Sequence, residues 1–244
     1  MLHELLQIPE NAQIVSICGA GGKTSLMHML AREAHQSGKK AAMMTTTHIF
    51  PSEDPDVALW DNESVTDLNR IWDEEKIVCA GMFHKGYKGK FGTPSLMACD
   101  ILQDEADRIY VEADGANRKP MKYPAVWEPV IAHHSESVIV VAGLSALGKP
   151  IDEVCQRANL VREVLDISAE LLGENEMGAI LAAGYGRYRP TVLLNQADTP
   201  ELIVRAEAVR DFLLDVGIPR VVIASLEQLN GGPAYRKRNR DTRA

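Results

Sequence analysis

The sequence of 244 residues contains no apolar run long enough to span a lipid bilayer. Its apolar runs are short, as in Val138–Ala142. The first residues, Met1–Leu6, lack the basic start and the long apolar stretch that mark a secretory signal. The four cysteines lie far apart and form no C-x-x-C pair, which argues against a disulfide framework or a local zinc knuckle. Together these absences predict a cytoplasmic protein that does not enter a membrane.

Common catalytic signatures and excess positive charge are missing as well. The sequence has no G-x-S-x-G or H-E-x-x-H motif, which removes the simplest serine hydrolase and zinc protease interpretations. The formal net charge is -8, and the last nine residues, 236–244, carry five basic side chains and one acidic one. A tail at +4 leaves -12 for the rest, which argues against a broad nucleic-acid-binding face. We interpret the basic tail as a solvated terminus.

Short β-branched runs alternate with longer helical patterns, which is typical of a parallel sheet with crossover helices. We therefore expect an α/β fold whose mostly parallel sheet has helices on both faces. The length fits a single domain over residues 1–244, with loop elaborations at 50–60 and 81–94 and the basic tail. The predicted strands are 13–17, 40–46, 77–80, 108–113, 137–141, 191–194 and 220–224. The predicted helices are 24–36, 155–167, 169–172 with a continuation towards 181, and 200–216.

A glycine-rich turn with a lysine and a threonine follows the first predicted strand and opens a helix. Its sequence is Gly19-Ala20-Gly21-Gly22-Lys23-Thr24-Ser25, and in this context it predicts a P-loop NTPase-like fold that binds nucleotide phosphates. The glycines let successive amide groups point at phosphate oxygens, and the start of the helix adds partial positive charge. We expect Lys23 to reach the terminal phosphates and the Thr24 hydroxyl to bind Mg²⁺.

The glycine spacing departs from the usual P-loop pattern. That pattern places a glycine five residues before Gly22, where this sequence has Ile17. The compressed G-x-G-G-K-T form also resembles the G-T-x-G-K-T loop of the Mur and folylpolyglutamate ligases. The alternative is a turn that only connects strand to helix, but a Lys-Thr pair at a helix start has no packing reason.

Two carboxylates close the predicted strand 108–113. Asp114 is the expected second Mg²⁺ ligand beside Thr24, and Glu112 is the expected group that orients water. With Lys23 they form the predicted catalytic set. Gly115 supplies an amide that can approach a γ-phosphate. The alternative is a strand that simply turns into a polar loop, although two acids in three residues are costly in a buried sheet without a cation.

Other polar residues are candidates for a switch or a second substrate. Thr47 and His48 follow the second predicted strand, where hydroxyl and imidazole groups can meet a phosphate, although threonine also simply favours strands. Lys119, with Arg118 and Lys122, follows the acidic segment and can bind an anionic second substrate. We also expect Arg157 and Arg187 to lie near strand ends, as candidate charge stabilisers.

A candidate base-recognition segment, Asn195-Gln196-Ala197-Asp198, ends another predicted strand. It resembles the N-K-x-D motif, in which the Asn contacts the edge of guanine and the Asp accepts from its ring and amine hydrogens. Gln196 stands where the lysine would stack on the base. The segment also reads as a helix start, with Thr199 as the cap and Pro200 in the first turn. We favour GTP over ATP, with both purine nucleotides kept as candidates.

Several segments in a consistent order from about Ile14 to Ser225 together resemble the YqeC family. They are Gly19–Thr24 after Ile14-Val15-Ser16, Thr45–His48, Val111–Ala116, Lys119-Pro120 with Lys122–Pro124, Gly143 through Gly148–Pro150, and Leu194–Asp198. Members are described as selenium-dependent hydroxylase accessory proteins or selenium cofactor biosynthesis proteins. The resemblance implies a partner that is a selenium-dependent molybdenum hydroxylase or another molybdenum or selenium cofactor enzyme. The acidic segment also looks like that of the nickel-insertion GTPases, which suggests a nucleotide-driven switch.

Three functions remain open on the sequence alone. The first is a Mg²⁺-dependent NTPase whose GTP or ATP hydrolysis gates cofactor delivery. The second is a Mur-like ATP-dependent ligase or kinase that acts on a cofactor precursor. The third is a non-hydrolysing chaperone that carries a phosphate-bearing cofactor.

Overall fold

The computed structural model describes residues 1–49, 51–83 and 90–230. The strands are β1 Ile14–Gly19, β2 Ala41–Thr45, β3 His48–Ile49, β4 Val57–Trp60, β5 Ile77–Ala80, β6 Met82–Phe83, β7 Phe91–Gly92, β8 Arg108–Glu112, β9 Met121–Lys122, β10 Ser137–Gly143, β11 Cys155–Gln156, β12 Thr191–Asn195 and β13 Arg220–Ile223. The helices are α1 Leu2–Leu5, α2 Lys23–Gln36, α3 Val65–Asp73, α4 Leu96–Glu105, α5 Ile151–Val154, α6 Ala158–Leu165, α7 Glu174–Tyr185, α8 Pro200–Asp215 and α9 Leu226–Leu229.

Eight strands form one hydrogen-bonded sheet in the order β13-β12-β10-β1-β8-β2-β5-β4. The pairs of β1 with β8, β8 with β2, β2 with β5, β5 with β4, and β12 with β13 are all parallel. Helices alternate with these strands along the chain, as a parallel sheet requires. The predicted α/β class with a mostly parallel sheet is confirmed.

Several predicted elements are wrong in extent. Residues 57–60, placed in a loop, form the edge strand β4, and the predicted loop 81–94 contains β6 and β7, which pair antiparallel in a small sheet with β3. Residues 169–172 are not helical, because their backbone bonds to residues 148–151 instead, as in the 2.9 Å bond from the Leu172 amide to the Lys149 carbonyl. Residue 50, residues 84–89 and the tail 236–244 lie outside the described residues.

The helix predicted from Cys155 begins three residues later. Cys155 and Gln156 form β11, which pairs in parallel with β9, and Arg157 has a left-handed conformation with φ of 63°. The apolar spacing of residues 155–167 suggested one continuous helix. The pairing with β9, which is a contact distant in sequence, overrides that local pattern.

The described chain divides into two compact units. The first comprises residues 1–18, 26–115 and 126–139. Its core includes apolar side chains from β2, β5 and β8 packed against α3 and α4, as with Val78, Leu68 and Leu102, all fully buried. The edge strand β4 contributes Trp60, which is 1% exposed. Burial of these side chains is the main favourable term for this unit.

The second unit comprises residues 19–25, 116–125 and the described residues from 140 onward. In it α7 packs closely on α8, and a Cβ atom on Gly178 would lie 2.4 Å from the Phe212 ring. Thr199 caps α8 by accepting a hydrogen bond from the Leu202 amide, and Pro200 occupies the first turn, as predicted. Across the described ranges, no helix has the length and apolar character to cross a membrane.

Candidate functional site

The glycine-rich turn after β1 has a conformation that only glycine adopts easily. Gly19, Gly21 and Gly22 have φ values of +91°, +81° and +136°. A Cβ atom on Gly19 would lie 2.2 Å from the Val141 carbonyl oxygen, and one on Gly21 would lie 2.5 Å from the Gly143 amide nitrogen. The glycines are therefore required by both backbone angle and space, and the turn packs against the end of β10.

Asn195, at the end of β12, holds this turn in place through side-chain hydrogen bonds. Its side-chain Nδ2 donates to the Gly21 carbonyl at 2.7 Å, and its Oδ1 accepts from the Leu226 amide at 3.0 Å. A Cβ atom on Gly22 would lie 2.4 Å from the same Nδ2. Asn195 is 5% exposed, and its bond to Leu226 is buried whereas its bond to Gly21 is partly buried. The predicted base-contacting residue thus also has a structural role that the sequence did not reveal.

The residues after the glycines combine one buried cation with two exposed hydroxyls. Lys23 is 5% exposed, and its ammonium group donates to the Gly19 carbonyl at 2.8 Å. Thr24 and Ser25, in the first turn of α2, are exposed. The Ala20 amide donates to the Val141 carbonyl at 2.7 Å, so that group holds the loop rather than a ligand. The turn itself is half-buried at Gly21 and Gly22. It is therefore not closed off from solvent.

Gln196 and Asp198 lie at the end of β12 in different environments. Gln196 has φ of +69°, and its Oε1 accepts from the Ser145 amide at 3.2 Å, so its side chain is directed to the segment after β10. Asp198 is exposed. Of the predicted base-contacting pair, Asn195 is buried and hydrogen bonded, whereas Asp198 presents its carboxylate to solvent.

In the first unit, the acidic segment begins beside the end of β1. Glu112 is the parallel partner of Ile17, and the Ala113 amide donates to the Ile17 carbonyl at 2.8 Å. Glu112 is 7% exposed and Asp114 is fully buried. Burying a carboxylate is costly unless polar or cationic groups compensate for lost hydration, so these positions are not ordinary solvent-facing acids. Gly115, the next residue, is half-buried.

The threonine run after β2 is tied to the same acidic segment. The Thr45 hydroxyl donates to the Glu112 carbonyl at 3.0 Å and accepts from the Thr47 amide at 2.9 Å. The Thr46 amide also donates to the Glu112 carbonyl, at 3.1 Å. Thr47 is half-buried, as is His48, which starts β3. These bonds connect the end of β2, at Thr45, to the end of β8, at Glu112, at the carboxyl edge of the sheet.

Lys119 lies in the second unit, where it binds backbone rather than open solvent. Its ammonium group donates to the Asp152 carbonyl at 2.8 Å and to the Cys155 carbonyl at 3.2 Å.

Thr24 belongs to the second unit and Asp114 to the first, so the Mg²⁺ site that they were expected to share stays a prediction. Their hydroxyl and carboxylate oxygens are donors of the kind that Mg²⁺ prefers. Within the described residues no group of three or more His, Cys, Asp or Glu side chains is arranged to hold a metal.

Sequence reasoning missed the residues that support the glycine turn. Pro120 accepts a hydrogen bond from the Gly143 amide at 2.8 Å, and its carbonyl would lie 2.9 Å from a Cβ atom on Gly21. A Cβ atom on Gly143 would in turn lie 2.6 Å from Gln196 Oε1. Isolated Gly and Pro residues beyond the motif were the available signal, but they do not indicate which loop they contact.

Comparison with known proteins identifies the family of this chain. The family model described as "YqeC protein" matches residues 15–159, more than half of the chain. The chain belongs to the YqeC family. The matched range contains the glycine turn and the acidic segment, whereas Asn195 and Asp198 lie beyond it.

Two further matches concern individual proteins. "Uncharacterized protein YqeC" of Escherichia coli (strain K12) is 34% identical over an alignment of 149 residues, and the match covers 57% of this chain and 54% of that relative. The match thus spans about half the length of the relative. A crystal structure of hydrogenase maturation factor HypB from Archaeoglobus fulgidus aligns with 13% identity and a TM-score of 0.45, over 99% of this chain and 93% of that one. A likeness at that level bears on neither substrate nor reaction.

Proposed function

We propose that this protein is a Mg²⁺-dependent purine nucleotide-binding protein that slowly hydrolyses GTP or ATP. The observation that carries the proposal is the glycine turn, in which three positive-φ glycines have no room for side chains. Such a turn brings amide groups towards one anion, and the start of α2 adds partial positive charge. Lys23 is held against the turn by its 2.8 Å bond to Gly19, within reach of a phosphate bound there.

The proposed chemistry uses oxygen donors and one water-orienting acid. Thr24 and Asp114 are the proposed Mg²⁺ ligands, because a hydroxyl and a carboxylate match the preference of this ion. When bound, Mg²⁺ supplies positive charge that neutralises phosphate oxygens. Glu112 is proposed to orient the attacking water, and its backbone is held by Thr45 and Thr46. Slow turnover that a partner protein accelerates is expected of a site with a weakly activated water.

GTP is the preferred nucleotide in this proposal. The exposed Asp198 carboxylate can accept two hydrogen bonds from the ring N–H and exocyclic amine of guanine, which adenine does not present as a pair. An asparagine amide carries two hydrogens. Asn195 donates one of them to Gly21, and the second can contact a base edge. The side chain of Gln196 is hydrogen bonded to the Ser145 amide. We therefore do not expect it to stack on the base as the aliphatic chain of a lysine would.

The biological role follows from the family. We propose that nucleotide binding assists the maturation of selenium-dependent molybdenum hydroxylases by gating insertion of their cofactor, as the resemblance to YqeC proteins implies. The protein partner is then a molybdenum or selenium cofactor enzyme. Membership of the chain in the YqeC family supports this assignment. Co-purification of such an enzyme in a nucleotide-dependent manner is the expected result, and capture that ignores the nucleotide would count against gating.

A second function is favoured by one observation. The glycine positions 19 and 22 have the compressed spacing of the G-T-x-G-K-T loop of Mur-like ligases, and both are sterically required. An ATP-dependent ligase or kinase acting on a cofactor precursor would use the same turn. A kinase leaves a phosphorylated compound and an adenylating enzyme an adenylated one, whereas a ligase joins two compounds and releases ADP and phosphate, so in each case the precursor itself gains mass. Product analysis by mass spectrometry with candidate precursors therefore separates the two functions.

Calorimetric titration with GTP and ATP, each with and without Mg²⁺, tests the central proposal. We expect Mg²⁺-dependent binding that Lys23→Ala weakens roughly tenfold to a hundredfold, since a hydrogen bond from a charged donor contributes about 1.5–3 kcal/mol. Lys149→Ala is the matched control, because Lys149 is an exposed lysine of the same unit. Wild-type protein that binds neither nucleotide would refute the proposal. Binding of a molybdopterin-type ligand that is insensitive to nucleotide would instead favour a cofactor carrier.

A further inference from the structure

The second unit contains a small sheet that the proposed function leaves unused. In it β9 and β11 pair in parallel, with Met121 opposite Cys155 and Lys122 opposite Gln156. The Tyr123 amide also donates to the Gln156 carbonyl at 3.1 Å. Residues directly in register on neighbouring strands project from the same face. Lys122 and Gln156 therefore extend their side chains from one face of this sheet.

Two polar groups on this face are buried. Lys122 is 1% exposed, and Gln156 is half-buried overall. The Oε1 atom of Gln156 is buried and has no hydrogen-bond partner within the part of the chain that the structure describes. A buried amide oxygen without a donor is destabilising, and in a native fold it marks a position that a ligand or a water molecule completes.

The sheet is directly attached to the glycine turn. Pro120, two residues before Lys122, accepts from the Gly143 amide at 2.8 Å, and its carbonyl would lie 2.9 Å from a Cβ atom on Gly21. The other strand is held in place because Lys119 donates to the Cys155 carbonyl at 3.2 Å. A ligand on this sheet would therefore lie near a nucleotide on the turn.

We propose that Lys122 and Gln156 form a second anion subsite for an oxyanion that retains a hydroxyl group. Hydrogen phosphate and the singly ionised form of a phosphate monoester belong to this class. The Lys122 ammonium attracts the anion, and Gln156 Oε1 accepts its O–H group. Sulfate carries no proton at neutral pH, so it leaves the Gln156 oxygen without a donor.

The claim that this subsite binds a second substrate rests on the proposed function. The claim that it binds an anion does not depend on that function. A phosphorylated cofactor precursor held here would lie beside the phosphates of the nucleotide. Because inorganic phosphate can also bind the glycine turn, the two sites are separated with Lys23→Ala. That change weakens the turn and leaves Lys122 and Gln156 in place.

The experiment compares inorganic phosphate with sulfate at pH 7 and constant ionic strength, by calorimetry on the full chain. In the Lys23→Ala background we expect one phosphate per chain, bound at least about tenfold more tightly than sulfate, the effect of one hydrogen bond to a charged ligand. Adding Gln156→Leu should abolish the preference, and adding Lys122→Met should abolish binding of both anions. Gln103→Leu and Lys149→Met, which alter an exposed glutamine and an exposed lysine, should change neither affinity.

Gln156→Glu serves as a second variant in case Gln156→Leu does not fold. It keeps the size of the side chain and adds negative charge, so it should reject both anions. Equal affinity for phosphate and sulfate, or a preference that survives Gln156→Leu, would overturn the proposal and leave a buried water as the partner of Gln156. Loss of all phosphate binding on Lys23→Ala would overturn it as well. Failure of the proposed function is recognised separately, because wild-type protein would then bind neither GTP nor ATP.

Discussion

Replacing Asn195 by alanine is expected to destabilise the glycine turn. The change removes the donor to the Gly21 carbonyl at 2.7 Å and the acceptor for the Leu226 amide at 3.0 Å. It also opens a space beside Gly22, because Nδ2 lies where a Cβ atom of that glycine would fall. One side chain therefore joins the turn to the start of α9, and its loss frees both segments.

The size of the effect follows from these two bonds. A protein hydrogen bond contributes about 0.5–1.5 kcal/mol net, and a buried donor left without an acceptor costs about 1–3 kcal/mol. Leu226 is 3% exposed, so water does not readily replace the lost acceptor at its amide. Gly21 is half-buried, so its carbonyl recovers part of its loss through hydration. We expect Asn195→Ala to lower the free energy of unfolding by about 2–4 kcal/mol.

Urea denaturation measures this difference, and two further variants make it specific. Asn195→Asp keeps an acceptor for the Leu226 amide but loses the donor to the Gly21 carbonyl, so it should destabilise the protein and weaken nucleotide binding through charge repulsion. Asn159→Ala, at an exposed asparagine of the same unit, should change stability by less than about 0.5 kcal/mol. If Asn195→Ala behaves like Asn159→Ala, the inferred role of Asn195 in holding the turn is refuted.

Three other predictions concern the stability of the protein. Gly19→Ala should destabilise the protein by about 3 kcal/mol in urea denaturation, because its φ is +91° and its Cβ would lie 2.2 Å from the Val141 carbonyl; an effect below about 1 kcal/mol would contradict this. Thr45→Val should cost about 1–2 kcal/mol in the same assay through its lost bond to the Glu112 carbonyl, and an unchanged midpoint would count against it. Burial lowers the pKa of His3 below its ordinary 6.5, so the neutral form is favoured in the fold. Stability should therefore fall as the pH drops below about 6.5, and His3→Gln should flatten that part of the pH profile; identical profiles would refute it.

The central strands were predictable because each contains a short apolar run. β5 was predicted at its observed bounds, 77–80, and α8 within one residue, since Thr199 and Pro200 mark its start. β4 was missed because its residues follow an acidic, proline-containing stretch that favours a loop. β11 was missed because only its pairing with β9 makes it a strand, and no local pattern encodes that contact.

The glycine turn was predictable, but the residues around it were not. Gly21 and Lys23 belong to a contiguous motif whose chemistry is local. Gly143 and Pro120 contact the turn from segments about 100 residues away in the chain. The sequence around them does not indicate that they contact the glycine turn. The role of Asn195 was likewise hidden, because a motif that suggests base recognition gives no sign of a hydrogen bond to the Gly21 carbonyl.

The position of Asn195 changes how the Asn195–Asp198 segment bears on nucleotide choice. Its Oδ1 and one of its amide hydrogens are already used within the protein, so the asparagine would be retained whichever purine is bound. In the proposed function, discrimination between guanine and adenine then depends mainly on Asp198, the exposed member of the pair. A change at Asp198 should therefore alter the ratio of GTP to ATP affinity without altering stability. A change at Asn195 should lower stability and the affinity for both nucleotides together, because it acts through the turn that we propose as the binding site of their common phosphates.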